Sequence, residues 1–210
     1  MDRSIAGIIL AGGQSRRMGG GDKPLLSLGE GRLIDHVAAR LKPQVGTLAL
    51  NANGDPARFT SLDIPVISDT VPGYAGPLAG ILTGLEWAAT NPACRSLVSA
   101  AGDTPFFPGD LVERLVATAD KRPGAIAVAS SGGRWHPTFA LWPLGLSDAL
   151  HHFLVDEDNR RVSAFMERHG FVQVEFPMIE AEGRRIDPFF NINTPDDLAQ
   201  AEHLLQSLRP

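Results

Sequence analysis

Cysteine is nearly absent from this chain. Cys94 stands alone, which excludes an internal disulfide and a cysteine-only metal cage and fits a reducing compartment. Positive charge is not in excess either: 19 Lys and Arg against 24 Asp and Glu leave a formal net charge of -5. That balance argues against a general grip on nucleic acid, so any phosphate recognition has to be local. Long apolar runs are missing too. The run "IAGIIL" near the N-terminus is too short to cross a bilayer and passes into a glycine-rich polar loop, not a cleavage-site pattern. A cytoplasmic protein without a membrane partner is expected. Repeats, low-complexity tracts and linker-like stretches are also lacking, so the 210 residues read as one domain, 1–210, with chain enough for a full core.

What is present is a repeated β–α alternation. Continuously apolar runs at 4–11, 47–51, 64–68, 95–101 and 125–130 read as buried strands, joined later by 136–142 and the alternating 171–176. Between them lie helical patterns. Leu33, Ile34, Val37 and Leu41 form one apolar stripe, and Leu78, Ile81, Leu82 and Leu85 a second. Helices are also predicted over 108–120, with Asp110 as N-cap, over 145–154, and over 160–170, closed by Gly170. The last begins at Thr194 as N-cap, with Pro195 in the first helical position and Asp196 and Asp197 in the first turn. The alternation implies an α/β fold of three layers, α/β/α, around a doubly wound, mostly parallel sheet.

In such sheets ligands bind beyond the carboxyl ends of the strands. The residues just past the predicted strands are Gly12 and Gly13, Asn51, Asp69 and Asp103, with Asn191 and Asn193 before the final helix. Together they form a polar rim around strands that hold almost no charge. The loop "LAGGQSRRMGGGDKPLL" (10–26) follows the first strand but satisfies neither G-x-x-x-x-G-K-[ST] nor G-x-G-x-x-G. Its glycines let backbone N–H groups approach an anion, and Arg16, Arg17 and Lys23 supply charge for phosphate oxygens. A solvated surface loop with incidental charges is the plainer reading. Asp103, beside small residues in "SAAGDTPF", suits a hard cation such as Mg²⁺ shared with substrate phosphates, or else a turn or helix cap. Asp69 in "VISDT" carries the same two readings.

Other conspicuous residues read more plainly. His151 and His152 are adjacent on a helix and point apart, which makes a poor chelating pair. His136 either lines the cleft or merely starts a strand. Cys94 is expected to pack beside the following strand, and Trp87, Trp135 and Trp142 to sit in the core or its rim. Arg160 and Arg161 open a helix against its dipole, a mild conflict that favours a nearby anionic ligand.

The loop at 10–26 resembles the signature of the molybdenum cofactor guanylyltransferases, L-A-G-G-x-S-x-R-M-G-x-x-D-K. The similarity continues in order through "NAN" (51–53), "VISD" (66–69), "GPLAG" (76–80), "GDTPF" (102–106), "HPTFAL" (136–141), "RRV" (160–162) and "NINTP" (191–195). The resemblance implies a nucleotide-diphospho-sugar-transferase-like Rossmann variant. It also implies Mg²⁺-dependent transfer of GMP from GTP to the terminal phosphate of molybdenum–molybdopterin, with pyrophosphate released. It assigns GTP contacts to Leu10, Ala11, Gly12, Lys23, Asn51, Asp69 and Asp103, the metal to Asp103, and catalysis to Lys23, Asp103 and Arg17. Arg17, Gly20, Asn191 and Asn193 fall to the second substrate's side, so that the N-terminal part serves GTP and metal and the C-terminal part molybdopterin. Handover to molybdopterin-synthesis proteins or target molybdoenzymes is implied as well. Competing readings are a cytidylyltransferase, told apart by nucleotide preference, a non-catalytic cofactor carrier, told apart by pyrophosphate release, and an NAD-dependent oxidoreductase.

Overall fold

The computed structural model describes residues 4–12, 23–73 and 76–208. In chain order the first half comprises β1 (Ile5–Leu10), β2 (Ser27–Leu28), β3 (Gly31–Arg32), α1 (Leu33–Leu41), β4 (Thr47–Asn51), β5 (Val66–Ile67), α2 (Pro77–Ala89) and β6 (Ser96–Ala101). There follow α3 (Leu111–Ala119), β7 (Ile126–Ser131), β8 (Arg134–Pro143), α4 (Ser147–Val155), α5 (Val162–His169), β9 (Phe171–Glu175), β10 (Ile179–Ala181), β11 (Arg184–Ile186) and α6 (Pro195–Ser207). Seven strands form one sheet in the order β5-β4-β1-β6-β8-β7-β9. The chain runs outward from β1 through β4 to β5, then returns to β6 on the other side of β1. That reversal puts the topological switch between β1 and β6.

The apolar runs are continuous because both faces of the sheet are covered. Along β1, Ile5 and Ile9 pack with α1 and α3, whereas Ala6 and Ile8 pack with α2, α4 and α5. The same parity holds on β6, where Val98 and Ala100 face one layer and Leu97 the other. A third apolar cluster joins α6 and the hairpins β2–β3 and β10–β11 through Leu28, Leu33, Phe106, Ile192, Ala201 and Leu204, with Ile179 and Ile186 packed against it.

Helix α2 lies unusually close to the sheet. A Cβ on Gly84 would come within 2.8 Å of the Leu97 side chain and 3.1 Å of Ile8, and one on Gly80 within 2.3 Å of Asn51 Oδ1 and 2.8 Å of Leu10. Contacts under 3.0 Å are essentially never made by real Cβ atoms, so these two glycines set the depth of the helix.

Three features depart from the sequence reading. Strand β8 runs antiparallel to both β6 and β7, because β7 and β8 are joined through Gly132 and Gly133, both at positive φ (54° and 79°), with no crossover helix between them. A second such turn, Glu182–Gly183, makes the unforeseen β10–β11 hairpin. Asp110 occupies the N-cap position of α3 but makes no capping bond; its carboxylate lies 3.8 Å from Arg114 Nη1 on the next turn. Cys94 and Trp142 are buried as expected, the indole Nε1 donating to Ser99 Oγ at 2.9 Å.

Thr194 does cap α6. Its Oγ1 accepts from Asp197 N at 3.1 Å, while the Asp197 carboxylate accepts from Thr194 N and Asn193 N, each at 2.8 Å. Thr194→Ala is expected to cost about 1 kcal/mol of stability, read as a lower urea midpoint with unchanged slope.

Candidate active site

The parallel strands deliver their carboxyl ends to one edge of the sheet, where a cavity of about 600 Å³ opens. Leu10, Ala11 and Gly12 line it where the chain leaves β1, Asn51 where it leaves β4, and Asp69 beyond β5. Lys23 and Pro24 enter ahead of β2, and Asp103 follows β6. Gly76 and Pro77, the cap and first residue of α2, complete one side, and among the described residues no side chain caps that helix. Its positive end therefore faces a space already holding an ammonium group.

Two polar constructions stand in the cavity wall. At the first, Asp69 is held by a pair of amides: Asn51 Nδ2 donates to Oδ1 and Asn53 Nδ2 to Oδ2, both at 2.8 Å. Asn53 Oδ1 in turn accepts from Asp69 N at 2.9 Å, and Asn51 Nδ2 also reaches Ile67 O at 3.3 Å. Asn51 is only 2% exposed, seated in the space that Gly80 leaves open. It acts as a bracket for Asp69. Both side-chain donors seen on it among the described residues are neutral amides, which fix the carboxylate and leave lone pairs for a further donor.

The second construction joins chain segments far apart in sequence. Lys23 Nζ donates to Asp103 Oδ2 and, at 2.6 Å, to Asn193 Oδ1. Asp103 Oδ1 and Asn191 Oδ1 lie 3.1 and 2.9 Å from Thr104 Oγ1, and Ile192 N donates to Asp103 O at 3.1 Å. Side-chain exposures of 13% for Lys23 and 20% for Asp103 leave the pair partly screened from water but open to a ligand. Salt screens such a pair less than it would an exposed one.

Seven residues to which the resemblance assigned GTP contacts thus line one cavity, and Asn191 lines it with them. Asn193 joins through Lys23. Arg17 and Gly20 lie outside the described residues, as do Gly13 and Arg16. Sequence reasoning missed Asn53, Thr104 and Thr138. Asn53 was signalled by its two-residue spacing from Asn51 within "NAN", and Thr104 by its adjacency to Asp103. Thr138 carried no such signal: it lines the cavity from the middle of β8, whose antiparallel course the sequence did not reveal.

The plainer readings elsewhere largely hold. His152 is exposed and pairs with Asp156, and Trp135 stacks on Phe171 with centroids 4.6 Å apart. Arg160 donates to Asp158 Oδ1 at 3.1–3.2 Å in an exposed ion pair, and Arg161 stands at the N-cap of α5. His136 is half-buried and set back behind the wall; burial pushes its pKa down, against the pull of Asp187.

Sheet order and switch point define an open, doubly wound α/β protein with a ligand-sized cavity at the carboxyl ends of its parallel strands. The MobA-like NTP transferase domain matches residues 7–172. Over 99% of both chains the sequence is 66% identical to a molybdenum cofactor guanylyltransferase of Mesorhizobium japonicum. The chain therefore belongs to the molybdenum cofactor guanylyltransferases, within the MobA-like NTP transferase family. Among solved structures, the molybdopterin-guanine dinucleotide biosynthesis protein A of Archaeoglobus fulgidus superposes with a TM-score of 0.75 at 24% identity, covering 97% of this chain and all of that one. A 4-diphosphocytidyl-2C-methyl-D-erythritol synthase of Anaerococcus prevotii shares the fold at a TM-score of 0.74 and 14% identity, over 97% of this chain and 96% of its own.

Gly80→Ala tests the seating of Asn51. Overpacking is expected to cost about 1–3 kcal/mol in thermal or denaturant unfolding. Nucleotide affinity should fall with it, since the new methyl group displaces the bracket that holds Asp69.

Proposed function

We propose that this protein transfers GMP from GTP to the terminal phosphate of molybdenum–molybdopterin, releasing pyrophosphate. The observation that carries the reading is the placement of the Lys23–Asp103–Asn193 contact and the bracketed Asp69 in the wall of a single cavity. A nucleoside triphosphate has a base with hydrogen-bonding edges at one end and concentrated negative charge at the other. Guanine offers adjacent N–H donors, and a carboxylate fixed by two amides is the matching acceptor. This supports GTP over CTP on a fold that cytidylyl transfer also uses.

In the proposed reaction, an oxygen of the acceptor's terminal phosphate attacks the α-phosphorus of GTP. A new phosphoanhydride bond forms, the bond to the β-phosphate breaks, and pyrophosphate leaves with the electron pair. No protein nucleophile is required, so the chain's work is to position two anions and balance the charge that develops. Lys23 is the group for the leaving phosphates, with Arg17 of the signature loop beside it in sequence. Asn191 and Asn193 border the acceptor's side.

The donor set fits a divalent cation of the Mg²⁺ type. Asp103 offers one carboxylate, with the oxygens of Thr104 and Asn191 beside it. Among the described residues there is no group of three or more His, Cys, Asp or Glu that would cage the ion by itself. A hard cation bound there would complete its shell with phosphate oxygens and water. It would supply Lewis-acid stabilisation of the phosphate charge. Lys23 pairs with Asp103, and its ammonium would turn from that carboxylate to the phosphates of a bound nucleotide.

Among the described residues no helix is long and apolar enough to cross a membrane. We place the reaction in the cytoplasm, with molybdopterin-synthesis proteins or target molybdoenzymes receiving the product.

Asp103→Asn is expected to lower kcat by at least roughly a hundred-fold while leaving the unfolding transition in place. Near-normal turnover would remove Asp103 from the site. In a competition between Mg-GTP and Mg-CTP with molybdenum–molybdopterin as acceptor, pyrophosphate release should follow GTP alone. Preference for CTP would overturn the guanylyl reading.

A further inference from the structure

Behind the cavity wall lies a polar cluster to which the reaction gives no task. Ser131, at the end of β7, is buried, and its Oγ donates to Asp187 Oδ1 at 2.6 Å. The carboxylate only accepts, so the hydroxyl proton is committed to it. His136 Nε2, 2.8 Å from the same Oγ, must therefore be the donor in its own contact. That fixes the imidazole with a proton on Nε2, which also lies 3.6 Å from Asp187 Oδ2. The ring stacks on Phe189 with centroids 4.7 Å apart, and Phe189 N donates to Asp187 Oδ1 at 2.9 Å.

From this cluster the chain runs straight to the cavity. Phe190 stacks on Phe106 at 5.6 Å, Asn191 meets Thr104, Ile192 N bonds Asp103 O, and Asn193 receives Lys23. Successive residues from 190 to 193 thus alternate between anchors and cavity contacts. A shift of the segment by one residue would withdraw Asn191 from Thr104 and Asn193 from Lys23. The Asn191–Asn193 end is held by hydrogen bonds and a buried Ile192; the other end is held by the charge-assisted bond at Asp187.

We propose that Ser131 and His136 are positioning residues: through Asp187 and Phe189 they set the register of the 187–193 segment, and so determine how Asn191 and Asn193 meet the acceptor substrate. Neither residue touches the reacting atoms. The link to the acceptor rests on the reading that Asn191 and Asn193 border its side of the cavity. The register itself does not depend on that reading.

The test compares wild type, Ser131→Ala, His136→Leu and His136→Gln, the last keeping a donor near the position of Nε2. Amide hydrogen exchange over 187–193 is measured in the ligand-free protein, together with GTP affinity by calorimetry and KM for molybdenum–molybdopterin. Ser131→Ala and His136→Leu should speed exchange in the segment and raise the acceptor KM roughly ten-fold, with GTP affinity within two-fold of wild type. His136→Gln should restore much of both. A merely structural role would lower the unfolding temperature of all variants while leaving the acceptor KM in place, and that result overturns the proposal. So does unchanged exchange in Ser131→Ala and His136→Leu. If wild type shows no acceptor-dependent turnover, the functional reading fails, and exchange alone then decides the register.

Discussion

Much of this molecule follows from how closely one helix approaches the sheet. Without side chains at Gly80 and Gly84, α2 settles onto β1 and β6 at a distance that no larger residue allows. The gap beside Gly80 takes the Asn51 side chain, which turns its amide to Asp69. The same approach brings the start of α2, which no side chain among the described residues caps, to the cavity. A packing constraint in the core thereby becomes an electrostatic one at the surface.

Charge is distributed across the site by origin as well as by position. The acceptor at Asp69 is built wholly from the β4–β5 side of the switch, using neighbours within about one crossover of each other. The Lys23–Asp103 contact draws on segments 80 residues apart, and Lys23–Asn193 on segments 170 apart. The first is therefore a local feature of a doubly wound sheet, and the second depends on the whole chain being folded. The matched family domain ends at residue 172, before the segment that carries Asn191 and Asn193, whereas the Mesorhizobium relative aligns over 99% of the chain. The cavity wall from Leu10 through Asp103 thus lies within the shared domain, and its C-terminal border lies beyond.

The sequence was most legible where one physical signal dominated. Buried parallel strands must be apolar on both faces, so β1, β4 and β6 stood out nearly to the residue, and with them the rim at Gly12, Asn51 and Asp103. Thr194 and Pro195 marked α6 because a helix start leaves N–H groups that only a few side chains can satisfy. Asp110 bears the same signal and does not cap: its backbone, at φ -105° and ψ 15°, is not in the extended geometry that aims an N-cap side chain at the first turn. The antiparallel course of β8 was hidden: its composition is that of any buried strand, and direction is set by the Gly132–Gly133 turn. Thr138 was lost with it. Ser131, His136 and Asp187 could not be associated at all from sequence, because hydrogen bonds between remote side chains leave no periodic trace.

The span between Lys23 and Asn193 bears on synthesis of the protein. A nascent chain that has emerged as far as β9 already contains every strand of the main sheet, together with Asp69 and its two amides. It still lacks the segment that closes on Lys23, and the Leu28–Leu33–Phe106 surface has yet to receive Ile192 and α6. The apolar face left open at that stage is covered by Ile192 and α6, which lie between and just after the two asparagines that finish the cavity. Completion of this third apolar cluster and completion of the site both wait on the chain beyond residue 190, so a chain truncated there forfeits both together.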